Sequence, residues 1–496
     1  MIALLTAVMT AVYTICAILL TSYAFGSIIL LIAYMRHRRE VREVPPIVDY
    51  PVVAVQLPIY NEMYVVERLL ESVASQDYPP DRLIIQVLDD STDETVDVIA
   101  RKAEQLRQRG YRVEHVRRPD RKGYKAGALA HGLDLLKAHH VEYVAVLDAD
   151  FVPHPDFLKR MIPHLVADPT LGMVQARWSH LNTFDSLLTL GQTLALDAHF
   201  VVEQTARNRS GWLMNFNGTG GIWRVRTIEE AGGWQDGTLT EDLDLSYRAQ
   251  LAGWQFLYLP EVEVPGELPP QISAYKQQQS RWAKGGTQCM MLLLGPIWRS
   301  PRLRLAQRLI ATLHLGQYLV HPIIITLLLL TPPLLAMDAL NRLAVPLGPL
   351  GLAGLGPPLI FILSQRVLYT DWQRRAAALP ALIALGTGMA LTNARAVIGA
   401  LLGQQEEFKR TPKFATQQRA NRYALRLNAN VKWEILLSLY SLLGFFLALR
   451  HAVTLAPYMA IYAFAFGLLA FWGLRDYVQL RRAQSALKIQ RASAAR

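Results

Sequence analysis

"IIQVLDDSTDET", residues 84–95, is the stretch from which the fold can be read. An almost unbroken apolar run ends in Asp89 and Asp90, with Asp93 three residues on. A short apolar run closed by turn-forming acidic residues reads as a strand buried on both faces. Helical patterning begins at 93 and continues to 109. Ligands of open α/β sheets sit beyond the carboxyl ends of such strands. Asp89 and Asp90 therefore read as nucleotide contacts, whereas Asp93 equally suits a cap on the next helix. Outward from this stretch the pattern repeats. Apolar runs at 52–57, 83–88, 143–147 and 171–174 alternate with helical patterns at 64–75, 93–109 and 124–137. The alternation predicts an α/β, Rossmann-like domain over 50–290 with a largely parallel sheet.

A second strand delivers acids in "YVAVLDADFVPHP", 143–155. Asp148 and Asp150 stand one residue apart, and two such carboxylates repel unless a cation lies between them. Oxygen ligands suit Mg²⁺ or Mn²⁺, ions that commonly bridge a diphosphate. In "TLTEDLDLSYRAQLAGW", 238–254, Thr240 reads as a helix cap with Glu241 and Asp242 in the first turn. Acids there can simply offset the helix dipole, which suffices for Asp244. Asp242 also reads as a general base able to take a proton from an attacking sugar hydroxyl. In "KQQQSRWAKGG", 276–286, Gln278, Gln279, Arg281 and Trp282 offer amides, a fixed cation and a broad ring. Such groups suit the hydroxyl edges and C–H faces of a sugar, and Arg281 could stabilise a departing diphosphate. The same residues would also suit a helix lying on a membrane surface. "GYKAGAL", 123–129, carries glycines but is no Walker loop; Lys125 in it could reach a phosphate.

The remainder of the 496 residues is apolar in blocks. Residues 1–35 hold no charged side chain, enough for a spanning helix of about 20 residues with room to tilt. Without a basic start or a small-residue cleavage site, they read as a retained helix over 1–40, not a leader. Apolar segments return at 309–336, 347–368, 376–402, 434–450 and 454–474. The net charge of +11 falls partly at Arg36, Arg38 and Arg39 and at Arg481, Arg482, Lys488, Arg491 and Arg496, beside the spans. Positive flanks mark the cytoplasmic side, and nucleic-acid binding is not expected. The basic loop over 403–433 should lie on that side too. Three full crossings cannot join two segments on one side, so one of the three segments between 309 and 402 must be incomplete. The reading chosen is the latter part of 376–402, where Asn393 and Arg395 interrupt the apolar run. The sequence thus divides into a helix at 1–40, the domain at 50–290, an interfacial region at 271–308, helices at 309–402, the loop, helices at 434–475 and a basic tail at 476–496. The two cysteines, Cys16 and Cys289, predict no disulfide framework.

The four acidic and polar stretches, in this order and followed by membrane spans, resemble the family 2 processive glycosyltransferases, which include the cellulose synthases. "QLPIYNE" (56–62), "QVLDDSTD", "GYKAGAL", "DADF", "VQARW", "FNGTGGIWR" (216–224), "EAGGW" and "EDLDLSYRA" are similar, more closely, to the cellulose-synthase-like A proteins that make mannan and glucomannan, and to the related C group. The resemblance implies a glycosyltransferase-A fold, inversion at the anomeric carbon, and a nucleotide-sugar donor, GDP-mannose or UDP-glucose. It implies that Tyr60, Glu62, Asp89, Asp90, Lys125 and Asp148 hold the nucleotide and phosphates, and that Asp148 and Asp150 hold the metal. Asp242, with Glu241 and Arg281, would be catalytic. Gln278, Gln279, Trp282, Asn217 and Gly218, with Phe216 nearby, would hold the acceptor. "FKRTPKF", 408–414, resembles a gating loop and would give Thr411 and Lys413 contacts to the donor. The product would be a growing β-linked glycan led across the bilayer, with the catalytic domain cytoplasmic in a multi-pass cell-membrane protein of bacterial inner-membrane type. Two alternatives stay open: a transferase adding one sugar to a lipid acceptor, and a transporter or sensor that only binds nucleotide.

Overall fold

The computed structural model describes residues 1–340, 354–404 and 430–494. Thr411 and Lys413 lie outside the described residues. Seven strands form one sheet: β1 (Val53–Ile59), β2 (Leu83–Asp89), β3 (Arg112–Arg117), β4 (Tyr143–Val146), β5 (Leu171–His180), β6 (Gly221–Arg224) and β7 (Gln255–Gly266). Their order is β3-β2-β1-β4-β6-β5-β7. The half β3-β2-β1-β4, which holds three of the four strands read from the apolar runs, is parallel as expected. The other half is mixed, because β6 runs antiparallel to both β4 and β5. Strands β3, β6 and β7 were not among the expected ones. β3 and β7 carry charged residues within them, and β6 has only four residues, too short to declare itself.

Register gathers the functional ends. Ile59 pairs with Asp89, so Tyr60 and Asp90 leave the sheet side by side. Val146 pairs with Gln56 and, antiparallel, with Gly221. The residues just after β4 therefore lie beside those just before β6, and the backbone N–H of Asp148 donates to Thr219 Oγ1 at 2.9 Å. Both sheet faces are covered. On one, Leu69, Leu70, Ile99, Leu158 and Ile162 close over Val55, Leu57 and Ile85. On the other, Leu129 and Leu133 of the helix at Tyr124–Leu136 pack with Trp223 and Phe256. Each such side chain taken fully from water contributes about 1.5–3 kcal/mol.

The helices around the site are numbered here in chain order: α1 (Ile2–His37), α2 (Glu241–Ala252), α3 (Ile272–Arg299), α4 (Leu305–Leu315) and α5 (Val320–Ala336). Thr240 does stand at the N-cap position of α2, but its hydroxyl caps nothing and instead faces Cys289 Sγ at 3.4 Å. The "KQQQSRW" stretch lies in the first half of α3, a single 28-residue helix.

Among the described residues, five helical segments are long and apolar enough to cross a membrane: Ile2–His37, Gln317–Ala336, Trp372–Leu401, Val431–His451 and Val453–Gln479. Along α1, Leu4, Leu5, Val8, Val12, Ile15, Ile18 and Leu19 stay exposed, as a lipid-facing surface would. The segment expected to be incomplete, the latter part of 376–402, falls within Trp372–Leu401. Of the apolar segment at 347–368, residues 347–353 lie outside the described residues, and the remainder holds a 13-residue helix at Gly356–Leu368. Asn393 and Arg395 have inward partners: Asn393 Nδ2 meets His321 Nε2 at 2.9 Å, and Arg395 donates to Asn430 Oδ1 at 2.5 Å. They therefore do not require a helix on the membrane surface.

Candidate active site

One cavity of about 470 Å³ opens between the carboxyl edge of the sheet and helices α2 to α4. Asp90, Asp148, Asp150, Asp242, Arg281 and Trp282 all line it. Tyr60, Glu62, Lys125, Asn217, Gly218, Glu241, Gln278 and Gln279 line it as well.

Two expected contacts are not there. Asp89 was read as a partner of Asp90, but successive strand residues point to opposite faces. Its carboxylate is buried on the far side, where Oδ1 accepts from the Ser91 N–H at 2.8 Å and Oδ2 meets His115 Nε2 at 2.9 Å. Asp89 shapes the strand end and does not line the cavity. Phe216 is likewise fully buried against Trp223, behind the wall. Asp244, which the sequence allowed as dipole compensation, pairs with Arg248 at 2.7 Å.

The end of the cavity nearest β1 and β2 is built from charge pairs. Arg118 donates to both oxygens of Asp90, at 3.0 and 2.5 Å. The Arg121 guanidinium lies 3.5 Å from the centroid of the Tyr60 ring. Neither arginine was singled out from the sequence; "RRPDR" before "GYKAGAL" was the signal available, a basic run between a strand and a helix. In the centre, Lys125 Nζ bonds Asp148 Oδ1 at 2.5 Å and the Gly218 carbonyl at 2.8 Å, with Glu241 at 3.9 Å. Burial works against the charge of Lys125, but Asp148, Glu241 and Asp242 outweigh it and hold the ammonium above its ordinary value. Asp242 behaves oppositely. Burial first, and then the neighbouring Glu241, push its carboxyl up to about 7, against the pull of Lys125 and Arg281. Gly218 has to be glycine here. Its φ is +80°, and a Cβ would stand 3.0 Å from Asp242 Oδ2. Gly285 of α3 makes a second close approach, since a Cβ there would come within 2.6 Å of Thr240. That contact seats α3 directly on the start of α2.

The opposite end holds a directed network that sequence reading missed apart from Asn217. A π-helical turn over His199–Gln204 sets His199 and Glu203 on the cavity wall. Such turns recur at functional sites. His199 Nδ1 lies 3.1 Å from Glu203 Oε2, and Arg207 donates to the same oxygen from both terminal nitrogens at 3.3 Å. A carboxylate can only accept, so Nδ1 carries the proton and Nε2 accepts from Asn217 Nδ2 at 3.0 Å. Asn217 Oδ1 in turn accepts from Gln204 at 2.7 Å. Although burial opposes ionisation, Arg207 and His199 hold Glu203 down to about 2. Trp178 and Tyr318 add aromatic walls.

Among the described residues, no group of three or more His, Cys, Asp or Glu side chains gathers in metal-binding fashion. Two carboxylates at a strand end are nevertheless the donor set that a divalent ion needs when diphosphate oxygens and water complete its shell. Asp148 and Asp150 supply two such carboxylates on the cavity wall.

Residues 51–285 match the model described as glycosyltransferase like family 2. The matched stretch coincides with the domain built on the seven-stranded sheet. This domain is 44% identical over 257 residues to glucomannan 4-beta-mannosyltransferase 2 of Arabidopsis thaliana, covering 52% of this chain and 48% of that one. Against glucomannan 4-beta-mannosyltransferase 1 of Cyamopsis tetragonoloba it is 38% identical over 295 residues, 58% and 56% of the two chains. The chain spans about half the length of these relatives. Among solved structures, the mannosyltransferase PcManGT from Pyrobaculum calidifontis, in complex with GDP-Man and Mn²⁺, aligns with a TM-score of 0.52 at 22% identity, over 79% of this chain and all of that one. At that identity the likeness establishes the fold, glycosyltransferase-A, beside which stand helices long and apolar enough to span a membrane.

Proposed function

We propose that this chain is a membrane-embedded β-glycan synthase of mannan type, taking its hexose from a nucleotide sugar, with GDP-mannose as the first candidate and UDP-glucose as the second. The observation that carries the reading is the convergence of Asp90, Asp148, Asp150, Asp242, Arg281 and Trp282 on one cavity. Relatives named as glucomannan mannosyltransferases, and a fold neighbour solved with GDP-Man, favour mannose.

In this reading the nucleoside lies against Tyr60, Glu62 and Asp90, with the diphosphate over Lys125. Asp148 and Asp150 would hold Mg²⁺ or Mn²⁺, which when bound supplies charge compensation for the diphosphate. The acceptor sugar lies on Trp282 with its hydroxyls toward Gln278, Gln279, Asn217 and the His199–Glu203 pair. Asp242 takes the proton from the attacking hydroxyl. That oxygen bonds the anomeric carbon from the face opposite the diphosphate, whose bond to the carbon breaks with its electron pair, inverting the configuration. Arg281 receives the developing charge. Glu241 lies beside Asp242 and keeps its carboxyl basic through like charge.

Five crossings also answer the parity problem. If α1 ends inside, Gln317–Ala336 runs out, Trp372–Leu401 returns, and the two C-terminal spans run out and back. The domain, the basic 403–433 segment and the basic tail then share the cytoplasmic side, with Gly356–Leu368 as the non-crossing piece. The nascent polymer would leave along these helices.

The test is incorporation from labelled GDP-mannose and UDP-glucose into membranes carrying the protein, with Mg²⁺ or Mn²⁺, followed by linkage-specific hydrolases. Alkali-stable polymer cut by β-mannanase is expected. A single sugar on extractable lipid would replace the polymerase by a lipid-acceptor transferase. Nucleotide binding without transfer would reduce the protein to a sensor.

A further inference from the structure

Helix α3 is held on one face and used on the other. Lys276 Nζ lies 2.6 Å from Glu434 Oε1 and 2.8 Å from Oε2, and the two side chains are 1% and 0% exposed. Glu434 stands in the first turn of the span Val431–His451. One turn earlier on α3, the backbone N–H of Ile272 donates to Asp476 Oδ2 of the last helix at 3.0 Å. Both carboxylates thus come from the two C-terminal spans, and both grip the start of α3.

At about 100° per residue, Gln278, Arg281 and Trp282 project at roughly 200°, 140° and 240° from Lys276, on the opposite side of the helix. These three line the cavity. Burying an ion pair gains little stability over well-packed apolar residues of the same volume, so stability does not account for it. What such a pair does provide is register, because any rotation or slip of α3 would leave an ammonium and a carboxylate buried without each other. The tolerance needed is small. A rotation of about 20° carries a group some 5–6 Å from the axis through about 2 Å, and misplacement by about 1 Å can reduce turnover by roughly 10²-fold.

We propose that Lys276 and Glu434 are positioning residues: their buried pair fixes the rotation of α3 against the C-terminal helical hairpin, and through it the seat of Arg281 and Trp282 in the cavity. The proposal rests on the glycosyltransferase reading for its kinetic consequence, but its geometric content stands apart. Burial lowers the Lys276 pKa, and Glu434 first and then Asp476 oppose it.

The experiment has two arms. In the kinetic arm, Glu434→Gln and Lys276→Met are each expected to lower kcat by about 10- to 100-fold, with the dissociation constant for GDP changed by less than about twofold. The apolar double variant Lys276→Met/Glu434→Leu restores a packed interior without the register, so it should fold as wild type does yet keep the low kcat. In the geometric arm, a cysteine is placed at position 278 (Gln278→Cys) and its rate of maleimide modification is measured with and without the apolar double variant. Native thiols interfere little: Cys16 and Cys289 are both buried, and burial pushes the Cys289 thiol up to about 12. The rate at 278 is expected to change at least about fivefold, while that of a Tyr60→Cys probe stays constant. Wild-type kcat in the double variant together with an unchanged rate at 278 overturns the proposal. A parallel loss of GDP affinity and kcat overturns it too, as general destabilisation. If wild-type protein transfers no sugar at all, the functional reading falls while the maleimide arm still decides the positioning.

Discussion

The two ends of the cavity are built on different principles. At the β1–β2 end, one carboxylate is matched by one guanidinium, and both belong to segments that follow strands of a parallel sheet. At the far end, Gln204, Asn217, His199, Glu203 and Arg207 form a relay of directed hydrogen bonds across a π-helical turn and the loop before β6. A charge pair tolerates angular error. A relay does not, because each donor fixes the role of the next acceptor. In the proposed reading the first kind of site suits a nucleoside that must be held and released; the second suits hydroxyls that must be told apart.

The contrast can be broken most severely at the boundary between the ends. Asp242→Asn keeps the shape but cannot take a proton, so kcat should drop by about 10²–10⁴, while GDP affinity measured by calorimetry stays within about threefold. Full turnover by that variant would remove Asp242 from the chemistry. Next, Glu203→Gln removes one charge from the relay. Loss of a charged hydrogen bond, about 1.5–3 kcal/mol, translates to roughly 10- to 100-fold in kcat/KM for an added oligosaccharide acceptor, with donor KM unchanged. A rise confined to donor KM would erase the division between the ends. The reciprocal change, Asp90→Asn, should weaken GDP by roughly tenfold through the lost charge opposite Arg118 and leave acceptor KM as it was.

The smallest effect is one of pH. With its carboxyl near 7, Asp242 is half protonated at neutrality and acts as a base only when ionised. Between pH 7 and 6, kcat/KM should therefore fall by roughly fivefold and level off above pH 8. A profile flat from 5 to 8 would mean that Asp242 is not the base, or that another step limits the rate.

Much of the first end was legible. Apolar runs terminating in acids declare strands whose carboxyl ends carry ligands, and Asp90, Asp148 and Asp150 followed from that alone, while Lys125 was read from "GYKAGAL". The companion error at Asp89 has a simple origin, since the side-chain period of two places adjacent strand residues on opposite faces. The second end was hardly legible. "HFVVEQ" reads as ordinary buried helix, and the π-turn that sends both His199 and Glu203 toward the cavity leaves no mark in residue spacing. Arg118 was missed because a basic run before a helix looks like a solvated face.

By itself, the sequence determined that an α/β domain with acidic strand ends is followed by helices long and apolar enough to cross a membrane, since hydrophobic period and length are local properties. Only the tertiary structure decided that α3 lies with its glutamines, arginine and tryptophan turned to the same cavity as Asp242, held from behind by Glu434. It also decided that Asn393 finds His321 as its partner among the helices. Both depend on contacts between residues far apart in the chain, such as Lys276 with Glu434 and Asn393 with His321. The physical reason is that a charge or an amide finds its partner by burial and geometry, which no local pattern encodes.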